Sequence, residues 1–171
     1  RSPSEVKFLM KIFEMYFKKL AKRKELHRDK IKVDILGKWR EFFPEATKKA
    51  MQLAIDETKK YKKRQLTFLM AYSGLDEMTA AINKIAELKV KSPKLKVDEN
   101  LIKNNLWTKN LPPVDLVIRT GGEPHWSSGL LMWDVANSQL YFTETLYPAF
   151  SVAEFKKALE NYEGTERRMG K

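Results

Sequence analysis

Cysteine is absent from the 171-residue chain. That excludes a disulfide scaffold, a thiolate-bound metal and a cysteine nucleophile. Histidine is scarce: His27 and His125 are the two present, too few for a histidine-built metal site. No uninterrupted apolar run approaches the ~20 residues that span a bilayer. Acidic residues are outnumbered, 22 against 33 lysines and arginines, for a formal net charge of +11. That balance favours anionic partners: nucleic acid, phosphorylated substrates or acidic lipid surfaces. Hydrophobic residues make up 43% and aromatics 11%, which excludes an intrinsically disordered chain. The length fits one domain with a real core. The sequence begins on Arg1 rather than methionine, so it is expected to start inside a longer protein, and no targeting peptide can be read from it.

Ser2-Pro3-Ser4-Glu5 reads as a helix start, with a serine cap, proline at the first position and a glutamate that completes a capping box. Val6, Leu9, Met10, Phe13, Phe17 and Leu20 continue it as a helical stripe. Phe8, Ile12, Met15 and Tyr16 lie off the stripe, so this helix is apolar on more than one side. Such a helix either packs between two layers or lines an apolar channel. Residues 18–32 are strongly basic and read as a solvated helix end and turn. Residues 31–36 alternate apolar and charged side chains, a strand with one wetter side. A helix is predicted from Pro44 to about Lys62, ending in the basic run 59–64. Residues 66–72 are almost continuously apolar, as in a strand covered on both faces. Further helices are predicted over 76–88, 98–106, 128–137 and 151–162, with strands over 114–120 and 139–143. Strands alternate with helices throughout, which predicts an α/β fold with a largely parallel central sheet and helices on both faces. No internal repeat or domain boundary interrupts it.

In open parallel sheets ligands bind beyond the carboxyl ends of the strands. Two such ends stand out, Ser73-Gly74 and, more strongly, Arg119-Thr120-Gly121-Gly122-Glu123. Ser127-Ser128-Gly129 follows and opens the helix predicted over 128–137. A helix start with free N–H groups, two hydroxyls and a guanidinium make a phosphate site. The alternative is a glycine turn with a serine cap, Arg119 being paired to Glu123. His125 lies in the same loop; taken alone it reads as a surface or hydrogen-bonding histidine. Trp126, Trp133 and Phe142 read as core or interface residues, and residues 147–150 as packing on the sheet edge.

Residues 115–123, reading Asp-Leu-Val-Ile-Arg-Thr-Gly-Gly-Glu, carry a highly specific signal when followed by Ser128-Gly129-Leu130-Leu131-Met132-Trp133, Leu140-Tyr141-Phe142-Thr143 and Tyr147-Pro148-Ala149-Phe150. This string resembles the cis-prenyltransferase family, which includes undecaprenyl diphosphate synthase. Weaker similarity covers the whole chain. Arg1-Ser2-Pro3-Ser4-Glu5-Val6 resembles the family's entry into its long helix, and Ala71-Tyr72-Ser73-Gly74 its Asn-Tyr-Gly-Gly strand end with two positions changed. Arg167-Arg168-Met169-Gly170 resembles its C-terminal Arg-x-Gly.

The resemblance implies the cis-prenyltransferase fold and a Mg²⁺-dependent transferase. Such enzymes condense isopentenyl diphosphate with an allylic prenyl diphosphate, make each new double bond Z and release diphosphate. It implies a homodimer in the cytoplasm with peripheral membrane contact, and no nucleic-acid partner. Position by position, Arg119 matches the arginine that binds isopentenyl diphosphate. Ser128 matches the downstream serine, with Ser127 beside it, and Arg168 and Gly170 match a motif that reaches the partner's substrate site. Three departures stand out. The loop Pro124-His125-Trp126-Ser127-Ser128 is one residue longer than the family's, and His125 or Trp126 occupies the place of its second arginine. The family's metal-binding glutamate is Gln139 here, an uncharged and weaker ligand. The family's catalytic aspartate and its Gly-x-x-Arg-Trp loop precede everything in this sequence, so residues 1–171 read as the C-terminal portion of a single domain, inactive by itself. The alternative is a non-catalytic subunit of a heteromeric cis-prenyltransferase.

Overall fold

The computed structural model describes residues 2–165, which divide into two compact units, the first ending at Ser73 and the second beginning at Gly74. The first opens as its capping residues dictate. Helix α1 (Pro3–Ala21) starts on Ser2, whose hydroxyl accepts the Glu5 N–H at 3.3 Å, with Pro3 in the first turn. One stripe of α1, including Phe13, Phe17, Leu20 and Ala21, enters the core. It meets helix α4 (Glu45–Thr58), which offers the small or flexible residues Ala50, Met51 and Ala54. Short side chains there let the two backbones approach, and the aromatic rings of α1 fill the remaining space. Phe17 sits edge-on to Phe68 with ring centroids 5.1 Å apart.

Strand β1 (Ile31–Leu36) places Val33 and Ile35 in the same core and runs parallel to strand β2 (Arg64–Leu69), in register from Ile31↔Arg64 to Leu36↔Leu69. Between β1 and α4, a short helix α3 (Trp39–Phe42) buries Trp39. The Trp39 indole N–H donates to the Ile35 carbonyl at 3.1 Å, and the Arg40 guanidinium covers its ring at 4.0 Å. Thr58 ties α4 to β1. Its hydroxyl donates to the Ala54 carbonyl at 2.7 Å and accepts the Val33 N–H at 2.9 Å, with no exposed surface.

Three expectations change in this unit. The basic segment after α1 contains a further helical turn, α2 (Lys24–Arg28), because Leu26 finds a buried site. Helix α4 ends at Thr58, short of Lys62, where the threonine hydroxyl turns back onto the preceding carbonyls. Strand β2 starts two residues earlier than its apolar run and stops at Leu69, and its first three residues are exposed. The last bond of its ladder is Met70 N–H to the Leu36 carbonyl, after which Ala71 turns left-handed at φ 49°.

The second unit begins with helix α5 (Gly74–Lys91), whose buried residues Gly74, Glu77, Ala81 and Ile85 fall on one helical stripe. Helix α6 (Glu99–Asn105) is capped by Asp98, which accepts the Leu101 N–H at 2.8 Å. Glu77 accepts the buried Thr108 N–H at 2.8 Å and so fixes the segment after α6 onto α5. Strand β3 (Leu116–Thr120) is half-buried along its length and pairs in parallel with strand β4 (Gln139–Thr143), from Leu116↔Gln139 to Thr120↔Thr143. A 3₁₀ turn at Tyr147–Ala149 leads to helix α7 (Val152–Gly164), capped by the Ser151 hydroxyl. Tyr147 does not pack on the sheet edge as the sequence suggested; it is 80% exposed. The fold is therefore α/β with parallel strands, and among the described residues the strands form two ladders of two.

Thr58→Val keeps the shape but leaves the buried Val33 N–H without an acceptor. It is expected to cost about 1–3 kcal/mol in urea unfolding, while Thr58→Ser, which keeps the hydroxyl, stays close to the parent.

Candidate functional site

β3 delivers Arg119 and Thr120 to its carboxyl end, and the chain then reverses through Gly121 and Gly122 at φ 96° and 73°. Their N–H groups donate to the Thr145 and Thr143 carbonyls, each at 3.0 Å. The two glycines thus close the turn against the exit of β4, and their donors are spent inside the protein rather than offered to an anion. Gly122 has a second constraint. A Cβ there would run into the carboxylate of Glu144, a neighbour that sequence reading missed.

Beyond the glycines the loop folds back on Arg119. The Glu123 carbonyl accepts from the Arg119 Nε at 2.6 Å and from the His125 N–H at 2.8 Å. The guanidinium also lies 3.5 Å from the Glu123 carboxylate and 3.3 Å from the His125 Nε2. The arginine–Glu123 pairing weighed above is therefore real. It does not remove Arg119 from a site, because the same side chain borders a cavity of about 350 Å³ lined by Val117, Ile118, Arg119, Thr120, Trp126, Ser127 and Leu130. That volume is at the small end of the range typical of ligand pockets. Trp126 is half-buried and held by its indole N–H, which donates to the Leu130 carbonyl at 2.9 Å.

The helix expected over 128–137 does not form. Ser128, Gly129 and Leu131 all adopt positive φ, at 52°, 58° and 49°, which breaks a right-handed helix at once. The segment is instead a succession of turns, with bonds such as Leu130 N–H to the Ser127 carbonyl and Met132 N–H to the Gly129 carbonyl. No helix dipole faces the pocket from this segment. Its polarity rests on the lining residues Arg119, Thr120 and Ser127, which share the cavity with Val117, Ile118, Trp126 and Leu130.

Of the residues singled out in the sequence, Arg119, Trp126 and Ser127 come together around the cavity, and His125 joins through Arg119. Ser128 does not line it; its carbonyl accepts the Gly74 N–H at 2.9 Å. At Gly74 a Cβ would strike the Gly129 carbonyl, so this glycine serves a close backbone contact within the second unit. Gln139 opens β4 opposite Leu116, three pairs along the ladder from Arg119, a separation of ~10 Å. Among the described residues no three histidine, aspartate or glutamate side chains gather to hold a metal ion. Arg168 and Gly170 lie outside the described residues.

A family model described as "Putative undecaprenyl diphosphate synthase" matches residues 1–170. A tritrans,polycis-undecaprenyl-diphosphate synthase (geranylgeranyl-diphosphate specific) from Thermococcus kodakarensis is 35% identical over the whole chain, which covers 65% of that relative. The chain thus spans just under two thirds of that curated relative's length. An isoprenyl transferase from Streptococcus pyogenes is 37% identical over the whole chain, with 70% of the relative covered. Among solved structures, lavandulyl diphosphate synthase from Lavandula x intermedia, in complex with dimethylallyl diphosphate, superposes with a TM-score of 0.87 at 30% identity, covering all of this chain and 73% of that one.

Gly122→Ala combines a left-handed backbone with a collision against Glu144. It is expected to destabilise the protein by about 1–3 kcal/mol, and pairing it with Glu144→Ala in thermal unfolding should recover part of that loss.

Proposed function

The chain belongs to the undecaprenyl diphosphate synthase family, the cis-prenyltransferases, and from that premise we propose that it forms part of an enzyme that condenses isopentenyl diphosphate with an allylic prenyl diphosphate. The new double bond is cis and diphosphate is released. One observation carries the reading to this chain: Arg119 stands on the wall of a small cavity that also presents the apolar residues Val117, Ile118, Trp126 and Leu130. An isopentenyl diphosphate has the same division, a charged head on a five-carbon tail. Its diphosphate meets the guanidinium and the Ser127 hydroxyl, and its hydrocarbon end lies against Val117, Ile118 and Leu130. Arg119 has a loose carboxylate contact to exchange for phosphate, Glu123 at 3.5 Å, while the 2.6 Å bond from Nε keeps the side chain in place. Trp126, pinned through its indole N–H, closes one side of the cavity.

A single guanidinium does not neutralise a diphosphate. The resemblance assigns further contacts to Arg168 and Gly170, supplied across a homodimer. It also assigns Mg²⁺, which when bound assists departure of the leaving diphosphate. The described residues do not fit that ion. Gln139 offers one amide oxygen at the other end of the β3–β4 ladder from Arg119, and no cluster of three acidic or histidine groups surrounds it. The second apolar stripe of α1 supports a long prenyl product: Phe8 is 64% and Tyr16 59% exposed, surface that suits a hydrocarbon chain. No helix of the described residues is long and apolar enough to cross a membrane; contact with one is peripheral in this reading. No observation favours the non-catalytic subunit.

Charge-assisted bonds from arginine to phosphate are worth about 1.5–3 kcal/mol. Arg119→Ala in the full-length protein is therefore expected to raise the KM for isopentenyl diphosphate at least ~10-fold, with a smaller change for the allylic substrate. Incorporation of radiolabelled isopentenyl diphosphate measures both, and an unchanged KM removes Arg119 from the role.

A further inference from the structure

The unit Arg1–Ser73 holds a feature that prenyl transfer at Arg119 leaves unused. Residues 18–32 and 59–64 together carry thirteen lysines and arginines against Glu25 and Asp29, an excess of eleven that equals the formal net charge of the entire chain. The remainder of the sequence is balanced. The two runs are separate in sequence and joined in space. The His27 Nδ1 lies 2.9 Å from the Tyr61 hydroxyl, and its Nε2 lies 3.0 Å from the Ala21 carbonyl at the end of α1. Arg64 pairs with Ile31 at the first rung of the β1–β2 ladder. Thr58, the last residue of α4, bonds Val33 in β1. The carboxyl ends of α1 and α4 and the amino ends of β1 and β2 therefore meet at one pole of the unit, away from the carboxyl ends of its strands.

The cations at this pole face solvent. Lys22, Lys24, Lys60, Lys62, Lys63 and Arg64 are exposed and form no ion pair with a carboxylate among the described residues. The two runs also sense each other's field. The Asp29 carboxyl is held below its ordinary value, first by the hydrogen bond from Arg28 and then by the charges of Arg28, Arg64 and Lys63. Holding so many like charges together is unfavourable, and an anionic partner relieves it.

Two observations choose the partner's chemistry. Apolar and aromatic side chains adjoin the cations in sequence: Met15 and Tyr16 are exposed one turn before Lys19, and Leu66 is exposed two residues beyond Arg64. Lys19 lies 5.5 Å from the Tyr16 ring centre and Lys60 the same distance from that of Tyr61. Lysine beside tyrosine, with aliphatic neighbours, suits the headgroup layer of a bilayer. The Tyr61 ring, already engaged edge-on by His27, is a poor stacking platform for bases.

We propose that this basic pole docks the protein on an anionic lipid surface; the choice of a bilayer as partner rests in part on the prenyl-transfer reading, whose product is an apolar chain. The association is electrostatic, so it decays within a Debye length and weakens with salt. Flotation of the full-length protein with vesicles of phosphatidylcholine, and of phosphatidylcholine mixed with phosphatidylglycerol, tests it. Binding is expected to the mixed vesicles alone and to fall at high salt. In the quadruple variant K24Q/K60Q/K62Q/K63Q, affinity for mixed vesicles is expected to drop about 100-fold or more, each cation near such a surface being worth ~5-fold. Incorporation of isopentenyl diphosphate in detergent should be unchanged in that variant, which also reports that it folds. Equal binding to neutral vesicles, salt-insensitive binding, or full retention by the variant overturns the proposal. Tighter binding to a double-stranded oligonucleotide than to mixed vesicles overturns it too, and assigns the pole to nucleic acid. Vesicle binding that behaves as expected, in a parent protein that incorporates no isopentenyl diphosphate, sinks the prenyl-transfer reading and leaves the docking surface standing.

Discussion

The Glu123 carbonyl accepts two N–H groups, one from the Arg119 side chain and one from the His125 backbone. This is the bond on which the site depends. It converts a glycine turn into a closed loop and holds the guanidinium against the cavity wall instead of letting it swing into solvent. Once the loop is closed, Trp126 is delivered to the cavity, where its own indole bond to Leu130 fixes it. With its Nε and one terminal nitrogen engaged by the loop, the guanidinium still keeps its charge and further donors for a ligand. The same residue can thus be bonded within the protein and still be the principal anion contact.

The polarity of the cavity follows from the two sides of β3. Consecutive strand residues alternate faces, and β3 borders the cavity with the apolar Val117 and Ile118 as well as with Arg119 and Thr120, whose pairs close the ladder. A charged group beside apolar ones is what a short prenyl diphosphate requires. A fully polar pocket would leave the hydrocarbon facing polar groups, and a fully apolar one would strand the diphosphate without partners. At the other extreme of the charge distribution, the first unit concentrates its cations where two helices end. The negative ends of the α1 and α4 dipoles partly offset the mutual repulsion there.

Much of this was legible in the residues themselves. Ser2, Asp98 and Ser151 cap the helices that the sequence starts near them, because a cap is a local bond between residues three apart. The strand over 139–143 and its neighbour ending in Thr120 were readable from apolar runs bounded by turn residues. The failures share a cause. The segment after Ser127 has the composition of a helix, yet Ser128, Gly129 and Leu131 turn left-handed, with the Ser128 carbonyl bonded to Gly74, more than fifty residues away in sequence. Leu26 forms a helical turn within a run of charges because a core site exists for it. Neither partner is visible in a local window.

Sequence alone determined the alternation of helices and strands, the placement of Arg119 at a strand end, and the family to which that strand end belongs. Those are properties of short segments, set by spacing, caps and turn residues. Tertiary structure alone decided that the Gly121 and Gly122 donors are consumed by the exit of β4, that Ser127 rather than Ser128 lines the cavity, and that two remote basic runs share one pole through His27 and Tyr61. Each of these is a hydrogen bond or close approach between residues distant along the chain, and such bonds exist only once the intervening elements have packed.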